Sequence, residues 1–354
     1  MRFDLDDEQR AIQKAVHDLC EARFDATAAN RRDDTGPDEF WSGLSASGWT
    51  QLAVPQRVGG QGAGLLELSL VIEELGYALA PATFFGNAAA GLLVAASKHD
   101  KHRERWLPGI ASGERRAAFG QLQRDGTGLA LDAEGAAIAV LAVDGDAVVV
   151  DPLPTGLEIA DGIDMTRRMH RVDTTSGEPL HVEQPGAADC VEILIAAELV
   201  GVAQHAMELA VEHAKQRQQF GRPIGAYQAV SHRCADMLVL VESARSTVLS
   251  AAWTADHEPA GLPFAASVAK VAAVNAAWHV AGSALQVHGG MGFTWEHPIH
   301  LFLRRAAASS RLLRSADQHL DRVARLSGLG GPDDRPLEAA RSRATDGAAA
   351  MSRN

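Results

Sequence analysis

The 354-residue sequence has no run of eighteen consecutive apolar residues, so no bilayer-spanning helix is expected and a membrane is not an expected partner. Positive charge is scarce. The 33 lysines and arginines face 45 aspartates and glutamates, and the formal charge of -12 argues against a general nucleic-acid surface. Only three cysteines occur, Cys20, Cys190 and Cys234, an odd number with no CxxC or Cys/His ligand spacing. That excludes a disulfide framework and a zinc site and leaves reduced thiols; no metal ligands are assigned. The amino terminus, MRFDLDDEQRAIQ, is charged and lacks an apolar h-region, so it does not read as a secretory signal, and a cytoplasmic protein with a small-molecule ligand is expected. Aromatics are few, while alanine and leucine abound and apolar residues recur at helical spacing, which predicts a mainly α protein.

The length exceeds what one hydrophobic core usually serves, so two or three sub-domains are expected. From Asp6 to about Phe24, Ile12, Val16, Leu19 and Phe24 fall near one helical stripe, with acidic residues over its N-terminus. A glycine-rich turn, Val58-Gly59-Gly60-Gln61-Gly62, leads into an amphipathic helix, LLELSLVIEELGYALAP, stopped by Pro81, and a third helical stretch runs through roughly 87–97. The texture then changes. AAFGQL and AIAVLAVDGDAVVVDP are β-rich, and Asp144-Gly145 is a strong two-residue hairpin signal. Helical periodicity returns from about Ala187 to Leu326, interrupted at 221–225, 257–263 and 288–292. The expected domains are therefore a helical one at 1–115, a small β-domain at 116–186 and a helical bundle at 187–328, with a flexible tail at 329–354.

The most specific segment is Arg217-Gln218-Gln219-Phe220-Gly221-Arg222-Pro223-Ile224-Gly225-Ala226-Tyr227-Gln228, followed by a helix containing Ala235-Asp236-Met237. A guanidinium at Arg217 offers a permanent charge and a donor fork suited to a pyrophosphate, Phe220 offers a flat face, and Gly221 permits a sharp turn. In isolation, Arg217 would read as a solvated helix-end cation and Phe220 as a core residue. Glycines at 289 and 290 let a backbone approach a ligand closely and present N–H donors to phosphate, although a helix-ending turn fits them too. His288 and the segment Trp295-Glu296-His297-Pro298 give no ligand set, and turn packing accounts for them better than metal or acid/base chemistry.

The RxxFGxxIGxxQ pattern, the upstream Leu199-Val200-Gly201 and the downstream Gln286-Val287-His288-Gly289-Gly290-Met291-Gly292-Phe293 together resemble the acyl-CoA dehydrogenase family. Glu73-Glu74-Leu75-Gly76, Ala80-Pro81 and Trp106-Leu107-Pro108 with Gly113-Glu114 extend the resemblance, in the same order, over nearly the whole chain. It implies an N-terminal helical domain, a β-barrel-like middle domain and a C-terminal four-helix bundle. It also implies a flavoprotein that α,β-dehydrogenates an acyl-CoA thioester with FAD at a subunit interface. Arg217, Phe220 and Gln228 inherit contacts to the FAD of the neighbouring subunit, and Gln286, Gly289 and Gly290 the companion contacts.

The resemblance breaks at the catalytic base, which must be a carboxylate able to take the α-proton. Counted from Gly289-Gly290, the family's glutamate position falls at Leu313, in SSRLLRSADQ. Some members carry the base on the first helix of the last domain, a site that falls at Val191, beside Glu192; Glu198 lies a turn and a half further on. Either glutamate is a candidate, although surface or capping roles suit them as well. Asp189 matches a substrate-contacting aspartate of some members and also fits a helix N-cap. Where the family's Thr-Glu-Pro and Gly-Ser strand should follow Phe119-Gly120-Gln121, the sequence reads Leu122-Gln123-Arg124-Asp125-Gly126, so the β-domain looks shortened.

Both losses concern groups a subunit supplies to its own flavin and substrate, whereas the retained motifs serve its neighbour's flavin. The chain looks similar to the reduced subunits of actinobacterial steroid and branched-acid heteromers, which implies a second acyl-CoA dehydrogenase chain in a heterotetramer. Two alternatives stand beside it: a self-sufficient homo-oligomer, dimer or tetramer, using Glu192 or Glu198 as base, and a flavin-free interaction subunit. Which acyl thioester is used is not legible, because chain-length choice rests on apolar pocket volume.

Overall fold

The computed structural model describes residues 4–22, 36–52, 54, 60–183 and 186–329. Five helices come first, α1 (Asp7–Glu21), α2 (Gly36–Ala46), α3 (Leu65–Tyr77), α4 (Thr83–Ala95) and α5 (Asp100–Ser112), then seven strands between Ala117 and Leu180. Five more helices follow: α6 (Ala187–Gln216), α7 (Gln228–His257), α8 (Leu262–His288), α9 (Ile299–Ser309) and α10 (Ala316–Leu326). The order helical, β, helical is thus the one the sequence predicts. Phe24, Val58, Gly59 and the tail from residue 330 onward lie outside the described residues.

Two helices differ from expectation. α3 is buried on nearly every side, Glu73 and Glu74 included, because it lies against α1, α6 and α7 at once. It ends at Tyr77, and α4 starts at Thr83, a turn earlier than read from the sequence. Pro81 sits just ahead of that start, where a proline's fixed φ and missing N–H cost nothing, so it marks a beginning rather than only a stop.

Strands β1 (Ala117–Leu122), β2 (Gly128–Leu131), β3 (Ile138–Val143), β4 (Asp146–Val150), β5 (Ile159–Ala160), β6 (Met169–Val172) and β7 (Glu178–Leu180) form one sheet in the order β5-β6-β2-β1-β3-β4-β7. β3 and β4 pair antiparallel across Asp144 and Gly145, both at positive φ, as a two-residue hairpin of twist-matching type requires. β1 and β2 join through a longer turn, residues 123–127, in which Asp125 accepts from Thr127 N–H.

The core of the second helical domain is α6 against α8. Half of the buried residues of α8 are alanine (Ala266, Ala269, Ala273, Ala276, Ala277, Ala281, Ala284), small side chains of the kind that let two helix axes approach closely. α7 contributes a narrow seam, Met237, Val241, Ala244, Val248 and Ala251, and leaves Leu238 and Val239 exposed. α3 crosses α6 at two glycines. A Cβ on Gly76 would stand 2.2 Å from Glu198 O, and one on Gly201 1.9 Å from Glu73 O, so any side chain there forces the domains apart. α6 and the α8 segment are long and apolar enough to cross a bilayer, yet 83% of the α6 window is buried inside the protein.

Candidate functional site

Two stretches of the chain, the end of α6 through the start of α7 and the end of α8, meet at one end of the bundle. α6 ends at Gln216, and Arg217 turns into extended backbone. Strands β8 (Gln218–Gln219) and β9 (Arg222–Pro223) then form a hairpin through Phe220 and Gly221, both left-handed at φ 52 and 78. Ile224 N–H donates to Arg217 O at 2.8 Å, Tyr227 Oη donates to Gln219 O at 3.1 Å, and the Arg222 guanidinium lies 4.1 Å over the Tyr227 ring, so the turn is braced. α7 begins at Gln228, and its first turns reach α8, where Arg233 donates to Ser283 Oγ at 3.4 Å. The His213 ring stacks on His288 at 4.5 Å, which ties the end of α6 to the end of α8.

What this end presents outward is unusual for a lone chain. Phe220 is 91% exposed on a backbone conformation that costs an L-residue roughly 1–2 kcal/mol, so neither packing nor propensity within the chain explains it. The reading of Phe220 as a core residue is thereby excluded. Arg217, Gln228 and Gln286 are exposed, and the Arg217 guanidinium makes no hydrogen bond or ion pair among the described residues. Gly289 has φ +60, a glycine conformation; Gly290 does not, and a Cβ at either would meet nothing within 4 Å. Gly290 is therefore not required by this chain's own packing.

These residues fit a flavin dinucleotide presented from outside the chain. They supply an uncommitted guanidinium, two amide side chains, an aromatic face and a backbone free of Cβ atoms. Sequence reasoning missed one neighbour, Gly282, a turn before Gln286 with open space over it. Its signal was there, since a glycine inside a helix costs about 1 kcal/mol relative to alanine.

The residues considered for catalysis lie elsewhere and are engaged. Glu192 is fully buried. Its carboxylate accepts from Lys270 Nζ at 2.6 Å and Arg314 N–H at 3.0 Å, with His319 Nε2 3.2 Å away. Burial alone would raise its pKa, but the Lys270 charge and the His319 contact outweigh it and hold it down to about 2. Glu198 is buried with Arg167 (2.8 Å), Arg305 (3.2 Å) and Ser309 Oγ (2.6 Å). Against the cost of burial, the two guanidinium groups keep its carboxyl below the usual range. A carboxylate so held is a weak proton acceptor.

Asp189 is not the helix N-cap, which is Gly186; it sits in the first turn of α6 with both oxygens engaged by Arg322. Leu313 is half-buried on the loop between α9 and α10, at φ 59, and its carbonyl faces Gln121 Nε2 at 3.5 Å. That loop is anchored from below by Lys270 donating to Leu312 O at 3.0 Å. Cys20 and Cys190 are thiols that burial pushes up to about 12, and all three cysteines are free. A cavity between α4 and the Trp49–Gln51 turn, lined by Leu68, Phe84, Leu92 and Ile110, contains none of the site residues.

Comparison with known proteins bears on both halves of this picture. Residues 6–114 match the family model described as "Acyl-CoA dehydrogenase, N-terminal domain" and residues 192–325 the one described as "Acyl-CoA dehydrogenase, C-terminal domain". The chain is 37% identical over 306 residues to acyl-CoA dehydrogenase IpdE2 of Mycobacterium tuberculosis, covering 84% of this chain and 90% of that one. It is 33% identical to acyl-CoA dehydrogenase FadE34 of the same organism, over 92% of this chain but 48% of that protein. In fold it is similar to the ChsE4-ChsE5 complex from Mycobacterium tuberculosis, with TM-score 0.81 and 22% identity over 94% of this chain and 100% of the other.

Proposed function

The chain belongs to the acyl-CoA dehydrogenase family of FAD-dependent enzymes, and from that premise we propose that it is the incomplete subunit of a heteromer acting on an acyl-CoA thioester in fatty acid or steroid degradation. Bound FAD supplies the hydride acceptor for α,β-dehydrogenation. This chain's part is to complete the FAD site of the neighbouring subunit. Arg217 meets the pyrophosphate charge, Phe220 covers an aromatic face, Gln228 and Gln286 donate from their amides, and Gly289 and Gly290 admit the ligand to backbone distance. The base and most isoalloxazine contacts come from the partner, a second acyl-CoA dehydrogenase chain.

The observation that carries this reading is the asymmetry between the two places. The outward-facing residues are uncommitted, while every carboxylate considered for the base is buried in ion pairs. Two comparisons lend support. The similarly folded ChsE4-ChsE5 assembly is named as a complex of two chains, and FadE34 is about twice as long as the stretch this chain matches. The self-sufficient reading would need Glu192 or Glu198 freed from Lys270 or Arg167 and Arg305.

The test is to express the chain alone and together with a second dehydrogenase chain, then record the visible spectrum and mass of each assembly. Flavin absorbance only in the mixed complex is the expected result. Stoichiometric flavin and turnover in the lone chain overturn the proposal and return attention to Glu192 and Glu198.

A further inference from the structure

The bundle end holds a second arrangement that the dehydrogenation reading does not use. His213 of α6, His288 of α8 and His297 of the following loop form a row of ring contacts, the first pair stacked with centroids 4.5 Å apart and the second tilted at 47° with centroids 4.3 Å apart. Among the described residues no three His, Cys, Asp or Glu side chains are placed to hold a metal, so the row is not a ligand set.

At His297 the hydrogen bonding requires a neutral ring nitrogen. His288 Nδ1 donates to Ala284 O at 2.8 Å, and its buried Nε2 has no partner. His297 Nδ1 accepts from Ile299 N–H at 3.2 Å, at the first residue of α9. A proton on that nitrogen would break the bond, place a positive charge on a helix N-terminus and set it beside His288. Among the described residues no carboxylate acts on these rings to offset the charge. The charged side chains that act on these rings are Arg217 from the end of α6 and Arg304 from α9, which acts on His300, and both are cations.

We propose that the His213–His288–His297 row is an acid-sensitive latch: neutral rings hold together the bundle end that carries Arg217, Gln286, Gly289 and Gly290, and protonation of His297 opens it. The consequence for FAD rests on the function proposed above; the latch itself does not. Burial first, then His288, His213 and His300, lower the His297 pKa from 6.5 to about 4, and burial lowers His213 and His288 as well. The sign follows. A folded-state pKa below the unfolded one means that the unfolded chain binds more protons, so stability is complete above about pH 6.5 and declines as pH falls toward about 4.

His297→Asn is the informative variant, because its side-chain oxygen keeps an acceptor for Ile299 N–H while nothing titrates. Unfolding of the flavin-free chain is followed by urea titration from pH 8 to pH 4.5, and the imidazole signals by NMR. The wild type is expected to lose folding equilibrium by up to about tenfold per pH unit for each proton linked, below about pH 6.5, with a flatter profile in the variant. Equal slopes, or a His297 ring titrating at its ordinary value, overturn the latch. FAD release from the purified holo-assembly is then compared at pH 7.5 and 5.5. Faster acid release in the wild type alone is expected; a changed unfolding slope with unchanged release keeps the latch and overturns the placement of FAD at this end.

Discussion

The interior of the helical bundle and its open end treat polar groups in opposite ways. Inside, Asp164 and Glu198 face Arg167 and Arg305, and Arg305 also donates to Leu79 O and Ala80 O, so one side chain joins the first helical domain, the β-domain, α6 and α9. At the open end, Arg217, Gln228 and Gln286 are exposed and Phe220 holds its ring in water from a strained turn. The difference teaches how to sort charged residues in a chain of this kind. Charges neutralised within the chain maintain the fold, and groups displayed at a cost await a surface from elsewhere.

That contrast can be broken most forcefully at Arg305. Replacing it with alanine leaves two buried carboxylates sharing one guanidinium, and a loss of about 3–5 kcal/mol is expected in urea unfolding; a loss under about 1 kcal/mol would mean the network is not structural. Next in size is Glu192→Gln, expected to cost about 3 kcal/mol by stranding Lys270, while Glu192→Leu with Lys270→Met restores most of it. A catalytic base at Glu192 would instead give lost turnover with unfolding unchanged. The same carboxylate, held down to about 2, contributes stability that is present above about pH 4.5 and is lost as pH falls through its folded value. Acid should therefore loosen the histidine row before it reaches the interior pair, a sequence that hydrogen exchange as a function of pH can resolve.

At the open end the effects pass from folding to binding. Arg217→Gln is expected to weaken FAD binding by roughly ten- to a hundredfold, with the unfolding of the flavin-free chain unchanged to within about 0.5 kcal/mol. Calorimetric or fluorescence titration of the assembly with FAD measures the first quantity and urea unfolding the second. The smallest effect belongs to Gly290→Ala, which meets nothing within 4 Å in its own chain; it should fold as the wild type does and lose FAD affinity by a few-fold. A drop in folding stability at either position would merge the two regions into one.

Much of this was legible in the chain. The order of helices and strands, the Asp144-Gly145 hairpin and the breaks between α6, α7 and α8 follow from periodicity and turn chemistry, and motif order singles out Arg217, Gln228 and Gln286, side chains that the fold leaves exposed. The start of α4 and the full burial of α3 did not, because both depend on neighbours supplied by other elements. Asp189 was misplaced as an N-cap because Arg322, which engages it, lies 133 residues away.

The sequence by itself determined the family, the order of helices and strands and the absence of a carboxylate at Leu313, since each is carried by local pattern or residue identity. Only the tertiary structure decided that Glu192 and Glu198 are committed to Lys270, Arg167 and Arg305, that Phe220 faces outward and that three histidines meet in a row. The physical reason is that desolvation and Coulomb energy depend on what lies within a few ångströms in space, and those partners come from 31 to 107 positions away along the chain.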